Sequence, residues 1–420
     1  MFDVSPLLAT GVGAVVCGLA AAILIVWRDL APVARLATGQ RIALVVALAG
    51  GVLAFGLKMA VVETLTLAGR DRLAPILTAP EPEPTAGGDE AGRPSWRPLP
   101  LVAPAPADDP PTAAKVALGA RLFEEPMLSR DGRLACASCH DLEAGAGADG
   151  RATARGIDGR VGSRNTPTVW NAAFQARLFW DGRARSLEEQ ALGPIVNPIE
   201  MGADLDEVCR RLSARDDYRA DFAAAFGAEA AIDPPHLARA LAAFERTLIT
   251  PDAPYDRFLR GDAGALDERQ LRGMSLFETV GCVVCHAGPG FSRASLLAPE
   301  GGSAGFRLFP ALPSPLAERY RLTEDRGAAG RAGSGPGLWR VPSLRNVALT
   351  APYFHNGAVA DLKEAVRVMA TVQAGRVITD DGRPATTVAW DADAGRLIRR
   401  TRLPLSEADV DDLVAFLEAL

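Results

Sequence analysis

Two short runs decide how this chain is read: Cys136-Ala137-Ser138-Cys139-His140 and Cys282-Val283-Val284-Cys285-His286. The 420 residues hold six cysteines and four histidines, and four of the former and two of the latter fall in these runs. Two thiols three residues apart can add to the two vinyl groups of a porphyrin while the next residue presents its imidazole to the iron. Cys-x-x-Cys-His therefore reads as a c-type heme attachment site. The rival reading is a zinc or dithiol site. Zinc wants four ligands, and the two pairs would have to cooperate across about 146 residues (136 to 282).

Each run has the same preface. From Ala113 onward Val116, Leu118, Leu122 and Phe123 share one helical face, and the turn Ser129-Arg130-Asp131-Gly132 leads into the first motif. Leu266 to Val280 repeats the pattern with Leu271, Met274, Leu276 and Phe277, and Gly281 opens the turn into Cys282. An apolar helix, a turn and the motif occurring twice predict two related modules. Pro251 and Pro254 mark their boundary, giving an N-terminal heme domain over 99–250 and a C-terminal one over 251–420. Helical spacing recurs at Leu187 to Gln190, Leu205 to Leu212, His236 to Thr247, Leu362 to Met369 and Ser406 to Leu420, while strand alternation is nearly absent. The expected fold is mostly α: two cytochrome c-like heme domains packed together.

The N-terminal region differs in kind. Leu7 to Trp27 carries no charge and is long enough to cross the hydrocarbon core, and Ile42 to Val62 is interrupted only by Lys58. Arg28, Arg35 and Arg41 lie between these spans, which places that loop in the cytoplasm and both ends outside. A cleaved signal peptide is the alternative, but its basic region precedes the apolar run, whereas here the arginines follow it. The reading is a membrane anchor over 1–70 with helices at 7–27 and 42–62. A Pro-rich tether over 71–98 follows, since 11 of the 31 prolines fall between Pro75 and Pro111. Heme c attachment on the outer side of a bacterial inner membrane agrees with this topology, so the catalytic domains are expected in the periplasm.

Hydrophobic residues make up 48% and charged residues 23%, enough for sizeable cores and unlike a disordered chain. With 45 Lys and Arg against 51 Asp and Glu, the formal charge is −6. No basic stripe is present, which excludes nucleic acid as a partner. Cys209 is left unpaired and no disulfide is expected.

From about residue 98 to the end the sequence resembles the bacterial di-heme cytochrome c peroxidases and their MauG relatives. The resemblance rests on Ser163-Arg164-Asn165-Thr166-Pro167-Thr168, Phe179-Trp180-Asp181-Gly182-Arg183-Ala184, Glu189-Gln190-Ala191-Leu192-Gly193-Pro194 and Asn197-Pro198-Ile199-Glu200-Met201. It continues through Pro342-Ser343-Leu344-Arg345-Asn346 and Thr350-Ala351-Pro352-Tyr353-Phe354-His355-Asn356-Gly357. It implies two covalently bound hemes: a peroxidatic first heme on His140 and an electron-transfer second heme ligated by His286 and Met369. It implies that Gln190 orients peroxide and Glu200 moves its proton, a role suited to a carboxylate in an apolar pocket. Trp180 matches the Trp between the hemes, and Asn165, Thr350 and Pro352 match an interdomain calcium site of hard oxygen donors. Read without the resemblance, Glu200 is a solvated loop residue and Met369 and Trp180 are core side chains.

MauG-like members carry Tyr where Met369 stands. Many members carry a blocking His before the Arg-Asn-x-Pro-Thr motif, whereas between Asp141 and Asn165 there is none, and the stretch from Gly150 to Gly162 offers Arg151, Arg155 and Arg160 instead. The expectation is a first heme open without reductive activation. His355 is expected to make a structural or propionate hydrogen bond, and His236 to be solvated. The implied activity is reduction of hydrogen peroxide to water with electrons from a small cytochrome c or cupredoxin. A MauG-like oxidase acting on a protein side chain and a plain electron-transfer protein are the alternatives. The oligomeric state is open, a homodimer included.

Overall fold

In a computed structural model, which describes residues 96–143, 146–298, 305–331, 337–380, 385–391, 396–402 and 404–420, the apolar stretch before the first motif is helix α1 (Ala113–Phe123). Thr112 caps it by accepting the Lys115 N–H (3.3 Å), one of the donors that a helix start leaves without an intrahelical partner. Helices α2 (Leu187–Val196), α3 (Leu205–Ser213), α4 (Asp216–Phe226) and α5 (Pro234–Glu245) follow. Then come α6 (Pro254–Leu259) and α7 (Glu268–Val280), the latter opened by a reciprocal cap between Asp267 and Gln270. Beyond the second motif are β1 (Phe306–Leu308), α8 (Pro315–Arg319), α9 (Ala328–Arg331), β2 (Leu338–Arg340) and α10 (Leu362–Val372). The chain closes with β3 (Val377–Thr379), β4 (Ala385–Asp391), β5 (Arg396–Arg402), β6 (Pro404–Ser406) and α11 (Glu407–Leu417), which Ser406 caps as expected.

Every stretch with helical spacing is a helix. The strands are the departure. β1 pairs β2 and β4 pairs β5 antiparallel, and β3 pairs β6 in parallel. Three-residue strands are too short to show a period, which is why the sequence pattern passed over most of them.

The two motifs sit on two helical cores built by the same device. In the first, α1 crosses α5, with Leu122, Phe123, Tyr218, Phe222 and Leu241 among the buried side chains. A Cβ on Gly119 would lie 2.0 Å from the Ala240 carbonyl oxygen and 2.8 Å from the Phe244 Cβ, so only glycine lets the helices meet. In the second, α7 crosses α11 around Tyr255, Phe277, Phe291 and Phe416. A Cβ on Gly273 would lie 1.9 Å from the Asp412 carbonyl oxygen and 2.8 Å from the Phe416 Cβ. In both crossings a glycine meets a helix carbonyl and the phenylalanine four residues on.

The segment 96–103 links the second core to a third cluster. Trp96 packs against Tyr255 and Phe416 (ring centroids 6.3 and 6.1 Å), and Leu99 lies in a third cluster with Phe174 and Leu187. The Leu99 N–H donates to Asp256 Oδ1 (2.7 Å), and Asp256 pairs with Arg345 through two further bonds of 2.7 and 2.8 Å, both side chains fully buried. The expected membrane helices at 7–27 and 42–62 and the tether up to residue 95 lie outside the described residues. Among the described residues no helix is long and apolar enough to cross a membrane.

Candidate active site

Cys136–Ser138 forms a single 3-10 turn, and the His140 N–H donates to the Cys136 carbonyl (2.9 Å), so thiols and imidazole are presented from one tight turn. The second motif repeats this: Cys282–Val284 is a 3-10 turn and the His286 N–H donates to the Cys282 carbonyl (2.9 Å). His140 Nδ1 lies 2.9 Å from the Gly147 carbonyl and His286 Nδ1 lies 3.0 Å from the Phe291 carbonyl. A carbonyl only accepts, so each Nδ1 carries the proton and each Nε2 is left as the metal-binding nitrogen. Burial lowers the pKa of both rings, His286 to about 4, which keeps them in the neutral form that binds iron. Burial pushes the Cys136 and Cys282 thiols up to about 12 and Cys139 to about 11. Among the described residues no group of three or more His, Cys, Asp or Glu is placed to hold a metal ion, so the zinc alternative finds no four-ligand site.

Cys136, Cys139 and His140 open onto a cavity of about 320 Å³ whose walls also include Gln190, Glu200, Trp180 and Asn165. Residues from five separate motifs thus meet at one place. Gln190 rides on α2, whose start Ser186 caps through the Glu189 N–H (3.1 Å). After α2 the chain doubles back, the Met201 N–H donating to the Pro194 carbonyl (3.1 Å) and the Ala203 N–H to Ile195 (2.8 Å), which returns Glu200 to the same cavity. Asn197 Nδ2 donates to Glu200 Oε1 (2.8 Å). Burial raises the Glu200 pKa above the ordinary carboxylate range, with the Arg183 charge and the Asn197 bond pulling against it. Trp180 Nε1 donates to the Asn165 carbonyl (2.9 Å), and the Asn165 N–H donates to the His355 carbonyl (2.7 Å). Apolar walls come from Phe123, Val169 and Leu241. A larger surface hollow of about 460 Å³, lined by parts of 249–254, 346–349 and 417–420, contains none of these residues.

The profile of the family described as "Di-haem cytochrome c peroxidase" matches residues 113–264. The cytochrome c551 peroxidase of Pseudomonas aeruginosa is 40% identical over 274 residues, 63% of this chain and 74% of that one. The chain belongs to the di-heme cytochrome c peroxidase family. Cytochrome c peroxidase Ccp of Escherichia coli is 38% identical over 320 residues, 76% of this chain but only 60% of that longer protein. MauG of Methylorubrum extorquens, a methylamine utilization protein, is 36% identical over 325 residues, 76% and 82% of the two chains. Among solved structures, a MauG-like protein associated with microbial copper homeostasis matches with a TM-score of 0.61 at 30% identity, covering 79% of this chain and 95% of that one. The diheme peroxidase BthA of Burkholderia thailandensis matches with a TM-score of 0.55 at 25% identity, covering 77% and 92%. The mostly helical fold is that of these relatives, and membership of a di-heme family implies two hemes.

The remaining expected residues of the peroxidase-family site are less gathered. Met369 is half-buried on α10, on the helix face of Leu362 and Val366, both of which pack on the core that holds Cys282. Asn165 spends its Nδ2 on the Arg151 carbonyl (2.8 Å), leaving Oδ1 for another partner, while Thr350 and Pro352 are half-buried on the loop leading to His355. His355 is 2% exposed, its ring stacked on Trp339 (4.0 Å between centroids), and its buried Nε2 has no hydrogen-bond partner among the described residues. His236 is not simply solvated: its Nδ1 bonds Asp233 Oδ1 (2.9 Å) and its ring lies 4.6 Å from that of Phe226. Cys209 is buried and free, as expected. Glu245 was not anticipated. It ends α5, lines the cavity, and burial pushes its carboxyl up to about 8. The signal in the sequence was a lone acid among the apolar residues of that helix.

Proposed function

We propose that this chain reduces hydrogen peroxide to water at the first heme, drawing electrons through the second from a small cytochrome c or cupredoxin. The observation that carries the reading is the meeting of Gln190 and Glu200 in the cavity onto which Cys136, Cys139 and His140 open. Heme held at the two motifs would supply redox-active iron, for peroxide reduction at the first and for electron storage at the second. Gln190 holds peroxide by a side-chain amide hydrogen bond. The Glu200 carboxylate accepts the proton of the nearer oxygen and returns it to the departing one, which leaves as water. Two electrons and two protons convert one peroxide into two waters.

The finer assignments follow the same logic. The domains are 99–250 and 251–420, each around one motif. Met369 ligates the second iron through its thioether, which favors the reduced state and suits electron storage. Trp180 lies on the path between the hemes, and Asn165 Oδ1 with the Thr350 and Pro352 carbonyls holds calcium. The first heme is open in the fully oxidized protein, since 141–165 offers no His. The anchor at 7–27 and 42–62 fastens the enzyme to the bacterial inner membrane with its catalytic part in the periplasm.

The MauG-like alternative is favored by the similarity to MauG and to the MauG-like structure, and opposed by Met at position 369. Stopped-flow oxidation of reduced cytochrome c by peroxide separates them. Rapid multiple turnover supports the peroxidase; negligible oxidation of every small donor supplied sinks it.

A further inference from the structure

The loop that precedes the Asn165 motif is a small hairpin pressed against the Glu200 loop. Arg155 and Val161 form an antiparallel bridge, the Gly156 N–H donates to the Arg160 carbonyl (2.8 Å), and the Gly162 N–H donates to Ala154 (2.9 Å). The Ile157 N–H donates to the Glu200 carbonyl (2.7 Å), and a Cβ on Gly156 would lie 1.9 Å from the Ile199 carbonyl oxygen, so backbone meets backbone. This contact fixes Arg155 at the edge of the first cavity, which it lines together with His140, Gln190 and Glu200.

Three arginines line that cavity, and the guanidinium groups of two are spoken for. Arg164 pairs with Asp325 (2.7 Å) and Asp181 (3.1 Å). Arg183 pairs with Asp181 (3.0 Å) and lies over the Phe179 ring. The Arg155 guanidinium is exposed and makes no hydrogen bond or ion pair among the described residues. An always-charged fork of donors without a partner among the described residues, at the mouth of a pocket whose other two arginines are already paired with carboxylates, is arranged to receive an anion.

We propose that Arg155 is the anion-holding residue of the first heme pocket. Its guanidinium pairs with a small oxygen or nitrogen anion entering from solvent, the deprotonated form of the peroxide included, or with a carboxylate of the heme itself. The inference rests on the reading of the first motif as an open heme pocket.

The test uses the full-length, fully oxidized holoprotein, in which uptake of sodium azide and of neutral imidazole is followed by heme absorption, and the midpoint potential of the first heme is measured. A charge-assisted hydrogen bond is worth enough to predict that R155Q weakens azide binding about tenfold or more while changing imidazole affinity less than about twofold. R155K retains most of the azide affinity, and R160Q, which removes a neighboring charge from the same loop, matches wild type. If R155Q instead leaves azide affinity unchanged but lowers the potential of the first heme, the anion held is the heme carboxylate. If R155Q equals wild type on both readouts, the assignment of Arg155 is overturned while the open pocket stands. Wild-type protein that takes up neither ligand sinks the open-pocket reading, and the potential measurement still decides for or against Arg155.

Discussion

Glu200 must be deprotonated to accept a proton from peroxide, and burial has moved its pKa upward. The carboxylate is therefore lost at a higher pH than in a free glutamate, and kcat/KM for peroxide should fall on the acid side with a midpoint above the ordinary 4.5. Glu200→Gln should cost about 100-fold or more in turnover with the heme spectrum unchanged. Retention of full activity would remove Glu200 from the chemistry. Glu245 obeys the opposite concern, stability. Its folded pKa of about 8 lies above the ordinary value, so between about 4.5 and 8 the folded state holds a proton that the unfolded chain releases, and stability declines as pH rises through that window. Glu245→Gln should raise stability at pH 7 by about 3 kcal/mol, the gain shrinking as pH approaches 4.5. A difference in thermal midpoint that does not vary with pH would show that the carboxyl is not held neutral. Gln190 and Glu200 were legible because ordered motifs carry them. Which of Arg151, Arg155 and Arg160 faces the pocket was not, because that depends on the 154–162 hairpin and no residue type announces it.

At the scale of elements, apolar periodicity located α1, α5, α7, α10 and α11, because each buries one face on a neighboring helix. It did not expose the ribbons, and it was silent on how the helices cross. The crossing is written in Gly119-Ala-Arg-Leu-Phe123 and Gly273-Met-Ser-Leu-Phe277, a repeat whose meaning emerges only when each glycine is seen against a carbonyl. Alanine at either site gains about 1 kcal/mol of helix propensity and loses more to overpacking, which typically costs about 1–3 kcal/mol when the neighbor is backbone that cannot move aside. Gly119→Ala and Gly273→Ala should each lower the thermal midpoint. Gly162→Ala, whose Cβ would meet the Ala154 oxygen at an ordinary 3.6 Å, should not. A gain at either crossing would mean that the helices slide apart at little cost.

Among the described residues a buried ion pair gathers three segments that are far apart in sequence. Asp256 belongs to α6, Arg345 to the loop that resembles the family's Pro-Ser-Leu-Arg-Asn motif, and Leu99, bonded to the same carboxylate, to the segment that reaches the first half. Arg345 also lies over the Tyr255 and Phe291 rings, at 5.0 and 5.3 Å from their centroids. Burying two charges is expensive, so the pair is weak as a source of net stability, but removing one partner leaves the other uncompensated. Asp256→Asn keeps the shape and one acceptor for the Leu99 N–H while stripping the charge that faces the guanidinium. It should cost about 3–5 kcal/mol, read as a lower midpoint in denaturant with unchanged slope. Because the carboxylate bonds Leu99 and Arg345, which lie far apart in the sequence, hydrogen exchange should speed up at Leu99 and around Arg345 together. Faster exchange confined to α6, with the global midpoint unmoved, would place the pair outside the cooperative core and leave the two heme modules to be held by their other contacts, the Arg164–Asp325 pair and the Asn165–His355 hydrogen bond among them.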